Sequence, residues 1–538
     1  MKANNPSSEG KFLTPKTLQI IRYVVFPLLI VFAWLLLVNY TFNSKPDMNG
    51  DNFCYYIYAS SLAEGNGYCD LSLPGTPATS NFPPGYPLLM TPLRMITDSV
   101  VAQKWLNEVF VLLSILLLYF SLLSLKLPLG ISFTAAFAGL FCPRLLHFST
   151  MMMSEASFLF VSMLVFFALV RMTQYEQNWW SELRSPWLYV MIIALVFAYH
   201  IRTQGIALLA GVLLVLLVRK RWAALPVTIV GFVVGCLPWM IRNKMLGLNG
   251  NRYLDAIMVA NPWRPEMGNI GFNELVERFF GTLKMLVFNA FPNTIIPFVK
   301  VDCDNPTYAW NLYLLGVIML ILIFYGAWKL GSQRWFAIGY VAATMGVISI
   351  FSTPSGNRYI TSLLPFLMAF LLIGTWAMLT WLIQRKWKTA AFPAYFLLLL
   401  LVLAKPGLEE EHKIAKQKYP VNYQQFFNIG KTLKKNAPEG TIVCSRKPQM
   451  LYLYSERPGV SYLFSTDAKE LITDLVSKNV DFVVLDALGY SSTYRYLFPA
   501  VQQYPQLFPK VLVHYPDTHT YLVSFDSQRA KRELGLGE

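Results

Sequence analysis

The apolar residues of this chain come in runs too long for the core of a water-soluble domain. A helix needs about 20 mostly apolar residues to cross the hydrocarbon layer of a bilayer. Runs of that length, or a little shorter, occur at 20–41, 103–124, 129–146, 152–170, 186–200, 204–218, 223–241, 310–328, 335–352, 360–383 and 389–404. Of the 538 residues 55% are hydrophobic and only 14% charged, where a soluble domain carries about a quarter as charge. Too few polar groups exist to cover so much apolar surface. The pattern predicts an α-helical polytopic membrane protein with about eleven transmembrane helices, and excludes disordered, collagen-like and small disulfide-stapled chains.

An odd number of crossings puts the two termini on opposite sides, and the basic residues say which is which. With the N-terminus cytoplasmic, the inside segments hold Lys11, Lys16 and Arg22; Lys126; Arg171 and Arg184; Arg219, Lys220 and Arg221; Lys329 and Arg334; and Arg385, Lys386 and Lys388. Basic residues collect in cytoplasmic loops, so the net charge of +15 needs no nucleic-acid partner; the partner it implies is the lipid bilayer. The short outside turns hold only Arg144, Arg202 and Arg358, three cations at the membrane surface that either snorkel to headgroups or serve a site. The polar, basic first 22 residues lead into an apolar run with no small-residue cleavage site behind it, which reads as a retained first span. The six cysteines form no C-x-x-C pair and so no zinc spacing.

Three regions leave the membrane. Residues 42–102 and 242–309 are outside loops, and in the second, Leu275, Phe279, Leu283 and Leu286 recur at helical spacing between Asn273 and Phe291, as in a helix lying on the interface. From about residue 405 to 538 roughly a quarter of the residues are charged, against about a tenth before. There Thr441–Ser445, Asp481–Asp486, Lys510–Val513 and Tyr521–Phe525 read as strands, with helices at Asn422–Lys435 and Ala468–Asn479. The expectation is a transmembrane domain over 1–404 and an extracytoplasmic, periplasmic α/β domain over 405–538.

Chemistry concentrates in the first outside loop. Asp51 stands just beyond the first span, ahead of a helical Tyr/Ala/Leu pattern that ends at Gly65 and Gly67; Pro83-Pro84-Gly85-Tyr86-Pro87 follows. This arrangement, Asp51, Tyr55, Ala59, Leu62, Gly65, Gly67, Tyr68 and then P-P-G-Y-P, resembles the opening of the C-type (GT-C) membrane glycosyltransferase superfamily, in its protein O-mannosyltransferase-like and aminoarabinose-transferase-like branch. The resemblance continues through Ser154-Glu155, Ile201-Arg202-Thr203-Gln204-Gly205 and Asn357-Arg358-Tyr359 with Pro365. It covers the transmembrane region of about 400 residues.

The resemblance implies an inverting glycosyltransferase that moves a sugar from a polyprenyl-phosphate donor to a hydroxyl of a glycan, glycolipid or protein on the extracytoplasmic face. Asp51 would be the general base, Glu155 the second acidic residue, and Arg202 and Arg358 the holders of the lipid phosphate, joined by Arg144 and His147. A carboxylate partly withdrawn from water suits proton abstraction, while a helix N-cap remains the structural alternative for Asp51, and a solvated helix start the one for Glu155. Guanidinium forks match phosphate oxygens. Tyr56, Tyr58 and Tyr86 offer faces for a sugar, although interfacial aromatic belts account for most of the 29 tyrosines. No nucleotide or redox cofactor is implied. A divalent cation between Asp51 and Glu155 is compatible with phosphate chemistry, but no ligand spacing demands it. Cys54 and Cys69 either close a disulfide on the loop or stay reduced. The protein-mannosyltransferase pattern has Asp followed by Glu; here Asn52 follows Asp51, which argues against protein mannosylation. A transporter or flippase is the rival reading: it accounts for the spans and the basic residues, but not for the carboxylate-bearing loop or the α/β domain.

Overall fold

A computed structural model describes residues 14–48, 50–174, 178–248, 256–296, 299, 301–303, 306–351, 356–383 and 391–535; Lys11, Arg385, Lys386 and Lys388 lie outside them. Each of the eleven apolar runs is helical: α1 Pro15–Thr41, then, after the first loop, α4 Val100–Ser124, the bent pair α5 Leu129–Phe141 and α6 Pro143–Ser149, α7 Glu155–Thr173, α8 Pro186–Ile201, α9 Thr203–Val218 and α10 Ala224–Met245. Beyond the second loop come α12 Trp310–Trp328, α13 Arg334–Ser349, α14 Thr361–Ile383 and α15 Phe392–Lys416. Among the described residues, seven helical segments are long and apolar enough to cross a membrane by length and composition, or eight if the bent pair is one span.

The departures from eleven plain spans have local causes. Pro143 cannot continue a helix, so Cys142 before it is extended and the chain turns by 58° between α5 and α6. Helix α8 has 16 residues, a length of about 24 Å, short of the roughly 30 Å hydrocarbon layer. It stops where Arg202 adopts an extended backbone, φ −147° and ψ 132°. Helix α15 runs on past residue 405 to Lys416, so no break in the chain marks the change in composition.

The first loop contributes two helices, α2 Gly50–Ala63 and α3 Gly85–Arg94, the latter starting within the Pro-Pro-Gly-Tyr-Pro stretch. The helix expected in the second loop is present as α11, Phe272–Met285, with Phe272, Val276 and Phe280 on its exposed side.

The C-terminal unit opens with α16 Val421–Asn436 and holds a five-stranded sheet ordered β2-β1-β3-β5-β4. β1 Val443–Cys444, β2 Gly459–Val460 and β3 Phe482–Leu485 are parallel, with Val443 opposite both Gly459 and Phe482. β4 Val511–Tyr515 and β5 Thr520–Ser524 form an antiparallel hairpin against β3. α17 Pro448–Ser455 joins β1 to β2, and α18 Ala468–Ser477 precedes β3.

Helix α2 is built into both halves. Phe53 is buried in the C-terminal core with Phe426, Val443 and Val484, whereas Tyr55, Tyr56 and Ala59 belong to the core formed by the long helices. Full burial of a Phe contributes roughly 1.5–3 kcal/mol. The backbone agrees, since Gly459 N donates to Ser72 O at 2.7 Å.

Candidate active site

Four segments converge where α2 meets the long helices. Asp51 lies in the first turn of α2, Glu155 is the first residue of α7, Arg202 sits at the α8–α9 break, and Arg358 belongs to the short helix Gly356–Tyr359 ahead of α14. Arg202 owes its place to two close approaches. A Cβ on Gly85 would stand 2.6 Å from the His200 carbonyl carbon and the Ile201 nitrogen, and one on Gly205 would stand 2.6 Å from Tyr199 N. The Pro-Pro-Gly-Tyr-Pro stretch therefore lets α3 lie flat on the end of α8, immediately before Arg202. That is a packing role.

The four side chains form one chain of ion pairs. Arg358 Nη1 is 2.9 Å from Asp51 Oδ2, and Arg358 Nε donates to Glu155 Oε1 at 2.8 Å. Arg202 Nη1 reaches the same Glu155 oxygen at 2.8 Å and donates to Ser154 Oγ at 3.1 Å. Tyr55, one helical turn after Asp51, shares a long hydrogen bond of 3.4 Å with Ser154 Oγ. The Tyr359 ring flanks both guanidiniums, 5.5 Å from Arg202 and 6.0 Å from Arg358.

Exposure separates the two carboxylates. The Glu155 side chain is 2% exposed and that of Asp51 32%. A buried carboxylate with two guanidiniums on one oxygen holds those cations in place. The more open Asp51, paired with the Nη1 end of Arg358, is the carboxylate an incoming molecule can reach.

The second Glu155 oxygen, Oε2, is buried without a hydrogen-bond partner among the described residues. The guanidinium of Arg358 lies between the Asp51 and Glu155 carboxylates, and both have spent an oxygen on it. Among the described residues no group of three or more His, Cys, Asp or Glu side chains gathers as a metal site. The two carboxylates that the sequence named for a divalent cation thus stand without a third carboxylate, His or Cys beside them among the described residues.

The other residues singled out from the sequence lie apart from this network or are packed beside it. His147 is not with Arg202 and Arg358: its Nδ1 is 2.9 Å from Glu411 Oε2 on α15, at a cavity of about 330 Å³. Arg144, half-buried one turn earlier on α6, is not joined to Glu155. Tyr56 offers no free face, because it is buried under Arg94 and its hydroxyl donates to Asp98 O at 2.7 Å. Tyr58 and Tyr86 are wholly buried; Tyr86 packs edge-on to Tyr55 at 5.1 Å. Cys54 and Cys69 are free thiols here. Cys54 points into a cluster with Ile57, Tyr58 and Tyr68, whereas the Cys69 thiol faces the Asn66 carbonyl at 3.2 Å.

Tyr55 stands in the first-loop motif but was assigned no role, although its spacing of four from Asp51 was an available signal. Glu411 and Lys447 were not singled out from the sequence at all. Nothing in the sequence marks Lys447, at the start of α17, yet it lies within the electrostatic reach of Asp51 and Asp47.

No family profile and no curated protein sequence matches the chain. Solved structures do. An oligosaccharyltransferase from Archaeoglobus fulgidus tethered to an acceptor peptide superimposes over 94% of this chain and 74% of its own, with TM-score 0.57 and 12% identity. ArnT from Cupriavidus metallidurans bound to undecaprenyl phosphate matches over 93% of this chain and 97% of its own, with TM-score 0.55 and 13% identity. The arabinofuranosyltransferase AftD from Mycobacteria matches over 93% of this chain but 40% of its own, with TM-score 0.50 and 11% identity. At such identities the likeness is one of fold, and it covers more than nine-tenths of this chain. This chain has the fold of the C-type membrane glycosyltransferases.

Proposed function

We propose that this protein is an inverting glycosyltransferase that moves a sugar from a polyprenyl-phosphate donor to an acceptor hydroxyl on the extracytoplasmic face. The observation that carries the reading is the Asp51–Arg358–Glu155–Arg202 network. It offers one reachable carboxylate beside two fixed guanidiniums, at the seam between the long helices and the C-terminal unit. In the fold's solved examples, ArnT was captured with undecaprenyl phosphate, a ligand of the same class as the leaving group proposed here.

The donor phosphate competes for Arg358 and Arg202, and Arg358 then releases Asp51. Asp51 takes the proton of the acceptor hydroxyl as that oxygen bonds to the anomeric carbon from the face opposite the phosphate. The bond from the anomeric carbon to the phosphate oxygen breaks, and its electron pair departs with the polyprenyl phosphate. The two guanidiniums stabilise the charge gathering on that leaving group. One displacement inverts the anomeric centre. In this reading the protein spans the inner, cytoplasmic membrane with its N-terminus inside, and residues 405–538 form a periplasmic domain over the site.

The test is to incubate the purified full-length protein with a panel of polyprenyl-phosphate sugars and to follow donor cleavage and acceptor mass. Transfer from at least one donor, abolished in Asp51→Asn, is expected. Movement of undecaprenyl phosphate across liposomes without cleavage of any donor would establish the flippase alternative instead.

A further inference from the structure

The network is balanced by itself, two carboxylates against two guanidiniums. The C-terminal unit adds two cations beside it. After β1 the chain continues as Ser445, Arg446 and Lys447 beyond the carboxyl ends of the parallel strands β1 and β3, the place where open sheets with parallel strands bind ligands. Lys447 caps α17, which packs against α2 through Leu453 and Tyr452 over Cys54 and Ile57. Asp51 and Asp47 are the carboxylates whose fields act on its ammonium, but neither forms an ion pair with it. Among the described residues its ammonium lies over the Tyr490 ring, 4.7 Å away.

Arg446 lies among three rings, 5.2 Å from Trp263, 5.2 Å from Phe464 and 4.9 Å from Tyr490. Its Nε donates to Ser492 Oγ at 2.7 Å, while its two terminal nitrogens have no hydrogen bond among the described residues. Trp263 comes from the second outside loop and is pinned there, for Tyr496 donates to its carbonyl at 3.1 Å and Arg495 pairs with Glu266 at 2.8 Å. The indole is nonetheless 53% exposed. A simple clasp between loop and sheet accounts for Arg446 on Trp263. It does not account for Lys447, a partly buried cation beside the reacting carboxylate without a carboxylate of its own.

Resting on the glycosyl-transfer reading, we propose that Arg446 and Lys447, with the faces of Trp263 and Tyr490, form an acceptor subsite for an anionic saccharide, one bearing a phosphate or carboxylate near its accepting hydroxyl. The free end of the Arg446 fork suits either anion. Lys447 supplies a second charge on the Asp51 side, and an exposed indole is a stacking surface for a sugar ring. An anion here leaves Arg202 and Arg358 to the donor phosphate, so donor and acceptor charges are held by different cations.

The experiment titrates the purified full-length protein by calorimetry with glucose 6-phosphate, glucuronate, glucose and inorganic phosphate, and in parallel with undecaprenyl phosphate. Glucose 6-phosphate and glucuronate should bind in a salt-sensitive manner and glucose should not. Glucose 6-phosphate against glucuronate separates a phosphate-bearing from a carboxylate-bearing acceptor. Lys447→Gln and Arg446→Gln should each weaken the anionic sugars by about tenfold, one charge-assisted contact's worth, and Lys447→Arg should recover most of that loss. Trp263→Ala should weaken glucose 6-phosphate and leave inorganic phosphate unaffected. Equal binding of glucose and its phosphate, or unchanged affinity in both Gln variants, overturns the subsite and leaves the transfer reading in place if undecaprenyl phosphate still binds. Anionic-sugar binding that depends on both cations, in a protein that binds no undecaprenyl phosphate and cleaves no donor, overturns the transfer reading and keeps the subsite. A Gln variant that fails to fold is replaced by Lys447→Arg and the salt series, in which salt-independent binding again counts against the subsite.

Discussion

Arg358 holds Asp51 with one nitrogen, Nη1 at 2.9 Å, and Glu155 with another, Nε at 2.8 Å. One guanidinium therefore connects the reachable carboxylate to the buried one. Whatever displaces Arg358 from Asp51 frees an anion beside a cation that Glu155 still anchors. A donor phosphate is such a competitor, and its binding would switch Asp51 from ion-pair partner to proton acceptor.

Asp51→Asn is expected to lower turnover by on the order of 10²–10⁴-fold, the usual loss for a general base. Donor affinity should be at least that of the native protein, because the base acts only as the proton moves and the donor phosphate no longer competes with the Asp51 charge for Arg358. Direct titration with undecaprenyl phosphate beside turnover at saturating donor separates the two. Lost donor binding with turnover preserved would reverse the assignment.

Arg202→Ala and Arg358→Ala should each weaken donor binding by about tenfold or more and also slow turnover, since each removes a charge-assisted contact that strengthens as the phosphate leaves. Lysine at either position should recover part of the binding and less of the rate, because it brings charge without the planar fork. Arg358 variants carry one further effect, the loss of the ion pair with Asp51. An Arg358→Ala protein with unaltered donor affinity would remove Arg358 from the phosphate site.

The proposed sidedness has its own test. With the N-terminus cytoplasmic, a single cysteine introduced near Ser527, at the start of the last helix, should react with an impermeant thiol reagent in intact cells whose outer layer has been made permeable. Protection there, with labelling only after lysis, would invert the map.

Much of this architecture is legible from periodicity alone, because a long apolar run in a bilayer has no option but a helix. The kink at Pro143 was written in the sequence too, inside the run 129–146. The four network residues were marked by motif resemblance, but their pairing was not. Arg358 bridging Asp51 and Glu155 depends on three segments more than 100 residues apart in sequence. Aromatic residues misled for a related reason: Tyr55, Tyr56, Tyr58 and Tyr86 are chemically alike, and only packing decides that Tyr55 adjoins the network while Tyr56 turns to Asp98. Cys54 and Cys69 are near in sequence yet face different neighbours. β2, with two residues, is too short to show a period.

Stability of the C-terminal unit should fall as pH rises through the acid range. Burial pushes the Asp486 carboxyl up to about 6 from an ordinary value of 3.8, so the folded state prefers it protonated. The associated stability is present in full below pH 3.8 and lost by about pH 6, amounting to about 3 kcal/mol on the usual linkage. Asp486→Asn keeps an oxygen for Leu488 N, which now donates to Oδ1 at 3.2 Å. Hydrogen exchange of β1 and β3 in the full-length protein should slow between pH 8 and pH 5, after correction for the intrinsic rate, in the native protein but not in Asp486→Asn. Identical profiles would reject the assignment.

Glu155 is expected to behave unlike Asp51. It is nearly sealed from solvent and accepts from both Arg202 and Arg358 on one oxygen, so Glu155→Gln leaves two guanidiniums facing each other without their shared anion. Breaking such a buried group by removing one partner costs about 3–5 kcal/mol, and thermal unfolding should drop accordingly, while Asp51→Asn should unfold close to the native temperature. The two variants should also differ in how ligand rescues them. Undecaprenyl phosphate brings an anion to the same guanidiniums, and a ligand that binds only the folded state stabilises it in proportion to its affinity there. Its thermal shift should therefore be larger in Glu155→Gln than in the native protein, because it restores a balance that the native protein already has. If Glu155→Gln instead unfolds normally, binds donor normally and loses only turnover, Glu155 is the proton acceptor and Asp51 the residue that holds Arg358.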